Sequence, residues 1–524
     1  MPAHPPSERS RAIRARLGVD LPPKSEPIGY AQVILEHELV VLPHHQVSFV
    51  APGGGKRERV ERGRSIVVYP PAYAPEPGLF HQLEFALKYE GVSLEILSAL
   101  FEKVTRGVLE PLLREYIQQR PTGQYSRRLW FLYEFLTGNM LDLPDATIGN
   151  YVPLLDPQEY FTATDERSRR HRVINNLLGT VECCPMVRRT EKLERFASLK
   201  LANQASRLME EYDEDALRRA VNYLYAKETR SSFAIEREKP SQDRTERYVA
   251  LLRRVPQWDT LDEAALTDIQ NQTVDPRFAE TGYRQGQNYI GETVSFTEQK
   301  VHYLPPRPED VPSLMKGLLA SVERMAKAHV DPIVQAAAVS FIFVLIHPFL
   351  DGNGRLHRLL IHYILSRSGF TPPGLIFPIS AVMLQKRSEY DACLESFSVP
   401  LMQQVDYTHD EEWQVTVKGK TRNLYRAIDC TRMAEDLYAW TEETIRTEFR
   451  KELEFIVRYR QAREQMEQVV DMPDRQLNLF IQVVLHNKGK LSSTKRASHF
   501  ELLTDAEVQA LETILQEQFF KGSA

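Results

Sequence analysis

The sequence predicts a mainly α-helical fold built on a helix–loop–helix, with short strands confined to its N-terminal part and to one hairpin. Three observations carry this. Residues 341–365, FIFVLIHPFLDGNGRLHRLLIHYIL, are two apolar runs joined by a turn of Pro348, Asp351, Gly352, Asn353 and Gly354. Residues 80–225 repeat apolar side chains every three or four positions, which is the helical period. Residues 30–69 instead carry β-branched runs split by Pro43 and the Gly53–Gly55 cluster, which is the signature of short strands.

Length and composition bound the rest. A chain of 524 residues suggests two to four domains. Hydrophobic residues at 42% and charged residues at 26% describe an ordinary globular protein. A net charge of −5 argues against a chain-wide nucleic-acid surface. The four cysteines show neither metal spacing nor a disulfide framework, which points to a reducing, cytoplasmic setting. The first residues, MPAHPPSERSRAIRARL, have no apolar stretch of the secretory kind. The apolar run 333–350 contains Gln335 and Ser340 and runs into His347 and Asp351, so it reads as a buried helix, with no membrane partner expected.

In chain order, residues 1–29 are expected to form a flexible arm. Residues 30–225 form an N-terminal domain of short strands followed by helices. The strands are placed at AQVILEHELVVLP, QVSFVAP and SIVVYPP, and the intervening KRERVERGR reads as a solvated loop. Trp130, Phe131, Tyr133 and Phe135 read as core. Arg169, Arg170 and Arg172 suit ion pairing at least as well as nucleic-acid contact. Residues 282–306 read as two extended runs around a polar turn at Glu298. Residues 406–466 form a helical connector with a long amphipathic pattern. Residues 467–524 form a small helical domain, with a winged helix as its alternative form. Lys488, Lys490, Lys495 and Arg496 leave a DNA partner open there.

The turn after His347 carries the chemistry. Its two glycines let backbone N–H groups approach a ligand closely. The start of the second run offers a helix N-terminus, with unpaired donors and a positive dipole end. Arg355 and Arg358 lie three apart on its first turn. Such a loop suits a polyphosphate, Asp351 supplies a hard oxygen for the Mg²⁺ that accompanies one, and His347 is placed as a general base. His357 and His362 are five apart, which fits no zinc helix, and read as packing or surface residues.

HPFLDGNGRLHR resembles the signature of the Fic family: His, any residue, Phe, any residue, Asp or Glu, Gly-Asn-Gly-Arg, two free positions and Arg. Every fixed position is filled, by His347, Phe349, Asp351, Gly352, Asn353, Gly354, Arg355 and Arg358. Residues 282–306 are similar to the β-hairpin flap that the family places ahead of its catalytic helix. Ser232 and Glu236 resemble the family's inhibitory motif, Ser or Thr, three free positions, Glu, then Gly or Asn, with Arg237 departing at the last position. The resemblance spans residues 226–405 and implies a Fic-like helical core with a flap. It is the bacterial type, with the inhibitory motif N-terminal to the core. It implies transfer of AMP from ATP to a Ser, Thr or Tyr hydroxyl of a protein target or of the chain itself. His347 would be the base and Asp351 the Mg²⁺ ligand. Gly352, Asn353, Gly354, Arg355 and Arg358 would bind the nucleotide, Arg355 at the β-phosphate and Arg358 at the γ-phosphate, with Phe349 anchoring the loop. Glu236 would pair with Arg358 and hold the enzyme off. The alternatives are another nucleotidyl transfer, removal of AMP by the same site, or a DNA-binding regulator with a Fic core. A homodimer stays open.

Overall fold

The computed structural model describes residues 8–295, 298–372 and 374–520. The chain divides into two compact units, each assembled from separated segments. One holds residues 1–199, 236–370 and 386–439. The other holds residues 200–235, 371–385 and 440–524. This interleaving replaces the linear series of domains expected from composition, and it cuts the expected 406–466 connector at residue 439.

The first unit begins with a mixed sheet of β1 (Glu26–Ile28), β2 (Gln46–Val50), β3 (Arg57–Glu61) and β4 (Arg64–Tyr69) in the order β1-β2-β4-β3. β2 and β4 run parallel, and the outer pairs are antiparallel. Three expectations are corrected here. The described part of the expected arm is not flexible coil but carries a helix, Glu8–Leu17, whose Ile13 and Leu17 are buried in the core. AQVILE is helical rather than extended, within Tyr30–Glu36. Tyr30, Ala31, Val33 and Ile34 are its buried residues, a spacing that also fits one helical face. The basic RERVE segment is β3, a solvent-facing edge strand whose charges suit an edge.

Four helices follow as the periodicity requires, Leu79–Tyr89, Leu94–Lys103, Arg106–Gln119 and Gln124–Thr137, the last stopped by left-handed Gly138. A small sheet of β5 (Val152–Pro153), β6 (Glu166–Ser168) and β7 (Val173–Asn175) was not legible as strands. Here Arg170 pairs with Glu134 at 2.9 Å and Asp145 at 3.1 Å, and Arg172 donates to the carbonyls of Ala146, Thr147 and Gly149. Both arginines therefore brace the fold.

The part that positions the loop consists of Glu263–Thr273, Val311–Lys327, a leading helix Pro332–Ile346 and a trailing helix Asn353–Arg367. The leading helix starts at Asp331, whose carboxylate accepts from the N–H groups of Ile333 and Val334, with Pro332 at its first position. Every side chain from Ile333 to Ile346 is buried, so it is a central core helix. His357 and His362 are buried as well, and His357 Nδ1 bonds the Ser340 carbonyl at 2.8 Å. Ahead of the leading helix, β8 (Ile290–Ser295) and β9 (Glu298–Tyr303) form an antiparallel hairpin with β8 fully exposed. Glu298 opens β9, and the residues joining the two strands lie outside the described ones.

The second unit packs Glu214–Ile235, Ile379–Gln385 and Arg450–Val469, joined by Asp474–His486, Ser493–His499 and Asp505–Phe519. Leu477, Phe480, Ile481, Phe500, Leu511 and Leu515 close its C-terminal core. Among the described residues this part contains no strand, so it forms helices without the wing of a winged helix. Lys490 pairs with Glu512 at 3.1 Å and Arg496 with Asp505 at 2.5 Å, which neutralises half of the basic cluster. Among the described residues no helix is long and apolar enough to cross a membrane.

Candidate active site

The site begins where the leading helix stops. His347 caps that helix in the left-handed conformation, φ 52°, which turns the chain sharply into the loop. Its Nδ1 lies 3.0 Å from the Val344 carbonyl. A carbonyl can only accept, so Nδ1 carries the hydrogen and the neutral ring presents a lone pair at Nε2. Burial, reinforced by the positive charge of Arg284, lowers the His347 pKa to about 4, so the ring is neutral at pH 7.

Arg284 clamps the turn. It is 2% exposed and donates through Nε to the His347 carbonyl at 2.8 Å, through Nη1 to Gly286 at 3.0 Å and through Nη2 to Pro306 at 2.5 Å. Its backbone N–H reaches the Pro348 carbonyl at 2.9 Å. One side chain thus ties the base of the hairpin to the peptide that carries His347. Sequence reasoning missed it, because nothing in YRQGQ distinguishes this arginine from a surface one.

Two residues of the motif face inward and shape the loop. Phe349 is fully buried and packs on Tyr283 with ring centroids 5.6 Å apart. Asn353 spans the turn, accepting from Phe349 N at 3.1 Å and donating to Phe349 O at 2.8 Å, and Asn288 donates to the same carbonyl. Gly352 adopts φ 87°, a left-handed conformation that starts the trailing helix.

The two arginines are each only 1% exposed as side chains, and each meets a carboxylate. Arg358 Nη2 lies 2.9 Å from Glu236 Oε1. Arg355 bonds Asp351 Oδ1 at 2.9 Å, the Thr273 carbonyl at 3.0 Å and both oxygens of Glu238 at 3.3 Å. Glu238 also holds Arg244 at 2.8 Å. Burial alone would raise the Glu236 pKa. Arg358, with lesser help from Arg355 and His347, outweighs it and holds the carboxyl below its ordinary value. Glu236 keeps 35% of its side chain open, while its carboxyl end lies over the loop. A Cβ added at Gly354 would stand 2.1 Å from Glu236 Oε1. The carboxylate therefore occupies the space that the absent side chain leaves above the helix N-terminus.

Glu236 follows directly on the helix Glu214–Ile235, one turn after Ser232, which is buried. Arg237 then takes φ 58°. That conformation suits Gly or Asn, the residues of the inhibitory pattern, and this chain adopts it with an arginine. The departure at position 237 thus leaves the Glu236–Arg358 contact intact.

Asp351 is half exposed at the loop mouth, and its Oδ1 accepts from Gly352 N at 2.6 Å. Among the described residues no group of three or more His, Cys, Asp or Glu is placed to hold a metal. Asp351 offers one hard carboxylate oxygen at the loop mouth, a donor type that suits Mg²⁺. Glu280 supports this edge by accepting from Leu350 N at 2.9 Å and Gln270 Nε2 at 3.1 Å. Glu238, Glu280 and Thr273 were not singled out from sequence, since each reaches the loop from a distant segment. The geometry brings His347, Asp351, Arg355, Arg358 and Glu236 to one place, with Arg358 set to receive an anion and already holding one.

Residues 260–365 match the Fic/DOC family. The protein adenylyltransferase fic-1 of Caenorhabditis elegans is 39% identical over 92 residues, 18% of this chain and 17% of that protein. The protein adenylyltransferase Fic of Drosophila melanogaster is 30% identical over 159 residues, 30% of this chain and 25% of that protein. The chain spans a quarter or less of the length of these curated relatives. A Fic family protein from Desulfovibrio desulfuricans aligns with 62% of this chain and 84% of its own, at 18% identity and a TM-score of 0.35. The matched span is narrower than the 226–405 expected from sequence, but it holds the whole signature, and within it this chain carries a Fic/DOC domain.

Proposed function

We propose that the protein is an adenylyltransferase that moves AMP from ATP to a hydroxyl of a protein, and that it is held off by its own Glu236. The observation that carries this reading is the pairing of a neutral, half-buried His347 with a loop whose arginine Arg358 is buried against a carboxylate. In the reaction, Nε2 of His347 takes the proton of the target hydroxyl. The freed oxygen attacks the α-phosphorus in line, the bond to the β-phosphate oxygen breaks, and pyrophosphate leaves. Arg355 and Arg358 balance the charge of the leaving group, and the N–H groups around Gly354 cradle the phosphates. Mg²⁺, when bound at Asp351, would neutralise phosphate charge. The exposed β8–β9 hairpin offers main-chain groups that can pair with an extended target segment.

Glu236 opposes this in two ways. It takes the guanidinium that the γ-phosphate needs, and it fills the space over Gly354. Nucleotide entering beside it is displaced, and a shift of about 1 Å costs on the order of 10²-fold in rate. The named relatives, both called protein adenylyltransferases, support the reaction class. The test is incubation of the purified chain, wild type and Glu236→Gly, with ATP labelled at the α- or the γ-phosphate. Covalent α label that disappears in His347→Ala is the expected result. Covalent γ label, or no label in Glu236→Gly, overturns the assignment.

A further inference from the structure

A cavity lies in the first unit, apart from the loop. It encloses about 500 Å³ between the N-terminal sheet, the start of the helix Leu94–Lys103, the helix Arg387–Met402 and the segment around residue 429. That volume is in the range of small-molecule sites. Met186, Phe397 and Met433 give it apolar walls, and Arg64, Arg188 and His45 supply its polar groups.

Its charges do not balance. Arg64 is held rigidly by two backbone carbonyls, Nε to His44 at 2.8 Å and Nη1 to Leu17 at 2.6 Å. Among the described residues no carboxylate lies within ion-pair distance of it. Burial lowers its pKa to about 10, so it stays charged at neutral pH. Arg188 engages Asp429 through Nε at 3.2 Å, which accounts for that acid. Glu61 at the rim acts on Arg64 from beyond ion-pair distance and pairs with Arg59 at 3.4 Å. Glu95 is pushed up to about 8 by burial and is mostly neutral at pH 7. His45 packs against His44 with centroids 4.2 Å apart and the rings tilted by 55°, and its ring nitrogens have no hydrogen-bond partner among the described residues. A fixed, half-buried guanidinium facing an apolar-walled space with no ion-paired carboxylate is costly unless an anion completes it.

We infer that this cavity is a binding site for a small organic anion, with an apolar body against Met186, Phe397 and Met433 and a carboxylate or phosphate head received by Arg64 and Arg188. The planar guanidinium forks suit either head group.

Calorimetry on the full chain tests this with phenyl phosphate and phenylacetate, and with benzyl alcohol as the neutral control. Binding of at least one anion, but not of the alcohol, is expected, and the anion that binds identifies the head group. Arg188→Met should weaken binding about ten- to a hundredfold, the size of a charge-assisted contact. Ser396→Trp, at an exposed residue lining the cavity, should block it without touching either arginine. Arg64 is left unchanged, because its guanidinium also holds two carbonyls of the fold. Failure of both anions to bind wild type at about 10 mM, a very weak affinity, overturns the inference. So does binding that survives both substitutions. Binding lost in Arg358→Ala but kept in Arg188→Met would place the anion in the Fic loop and overturn it equally.

Discussion

Arg358 in the Fic loop is fully buried and Arg64 beside the N-terminal sheet half-buried, and they differ as well in what faces them. Arg358 meets Glu236 at 2.9 Å, whereas Arg64 meets two backbone carbonyls. A carboxylate supplies a full opposite charge and a carbonyl only a dipole. The first arrangement is therefore electrostatically closed and the second is not. The lesson is that an arginine's burial does not by itself mark a ligand site; what marks it is whether the chain provides the anion.

Glu236→Gly breaks this contrast by turning the first region into the second. In that variant, under the proposed function, His347→Ala should have the largest effect, a loss of about 10²–10⁴ in covalent labelling, with ATP binding retained. The next effect is the release itself: Glu236→Gly should label about 10² times faster than wild type. Equal rates would mean that the carboxylate does not restrain the site. The same substitution removes the Glu236 charge from the buried Arg358. A stability loss of about 1–3 kcal/mol is expected by denaturant titration, towards the low end because Glu236 is about one-third exposed.

Glu238→Gln sharpens the comparison within the loop. Arg355 keeps Asp351 and the Thr273 carbonyl when Glu238 loses its charge, and Glu238 is itself 31% exposed. The labelling rate should change by less than about fivefold, the equivalent of about 1 kcal/mol.

Acid should expose the closed arrangement. The Glu236 carboxyl is depressed below its ordinary 4.5, so its contribution to stability is complete above that value and is lost as pH falls through the lower folded value. His347 works in the same direction over a different window. Its folded pKa near 4 against 6.5 unfolded means that stability declines from about pH 6.5 and levels off below about 4. Denaturation midpoints across pH 3–7 should show the steepest acid loss in wild type. Glu236→Gln should flatten the curve below about 4.5, and His347→Ala above it.

The smallest effect belongs to Arg237→Gly. Glycine relieves the left-handed strain at φ 58° but gains freedom in the unfolded chain, so the net change should stay within about 1 kcal/mol. Labelling should remain as low as in wild type. A rise would show that the arginine helps to seat Glu236.

The segment from His347 to Arg358 was legible because its function constrains the backbone. A turn at His347, an inward Asn353 and a glycine at 354 leave few other residues possible, so the geometry is written in consecutive letters. The helix pair was equally plain, although the trailing helix starts at Asn353 rather than at Arg355. Arg284, Glu238 and Glu280 were not legible, because their meaning comes from partners 63, 117 and 70 positions away. AQVILE misled because its burial pattern serves a helix as well as a strand, and tertiary packing decided. RERVE misled because an exposed edge strand needs no apolar alternation.

The missing side chain at Gly354 has a kinetic consequence. In the proposed function, one small volume above the helix N-terminus, filled here by the Glu236 carboxylate, is shared in time with a phosphate from solution. Under the proposed inhibition, the resident competitor is tethered, so dilution does not weaken it, and its effective concentration belongs to the chain rather than to the cell. Nucleotide then binds with its intrinsic affinity divided by the fraction of time that the volume stands open. Any event that loosens the tether raises that fraction without altering a single atom that touches ATP.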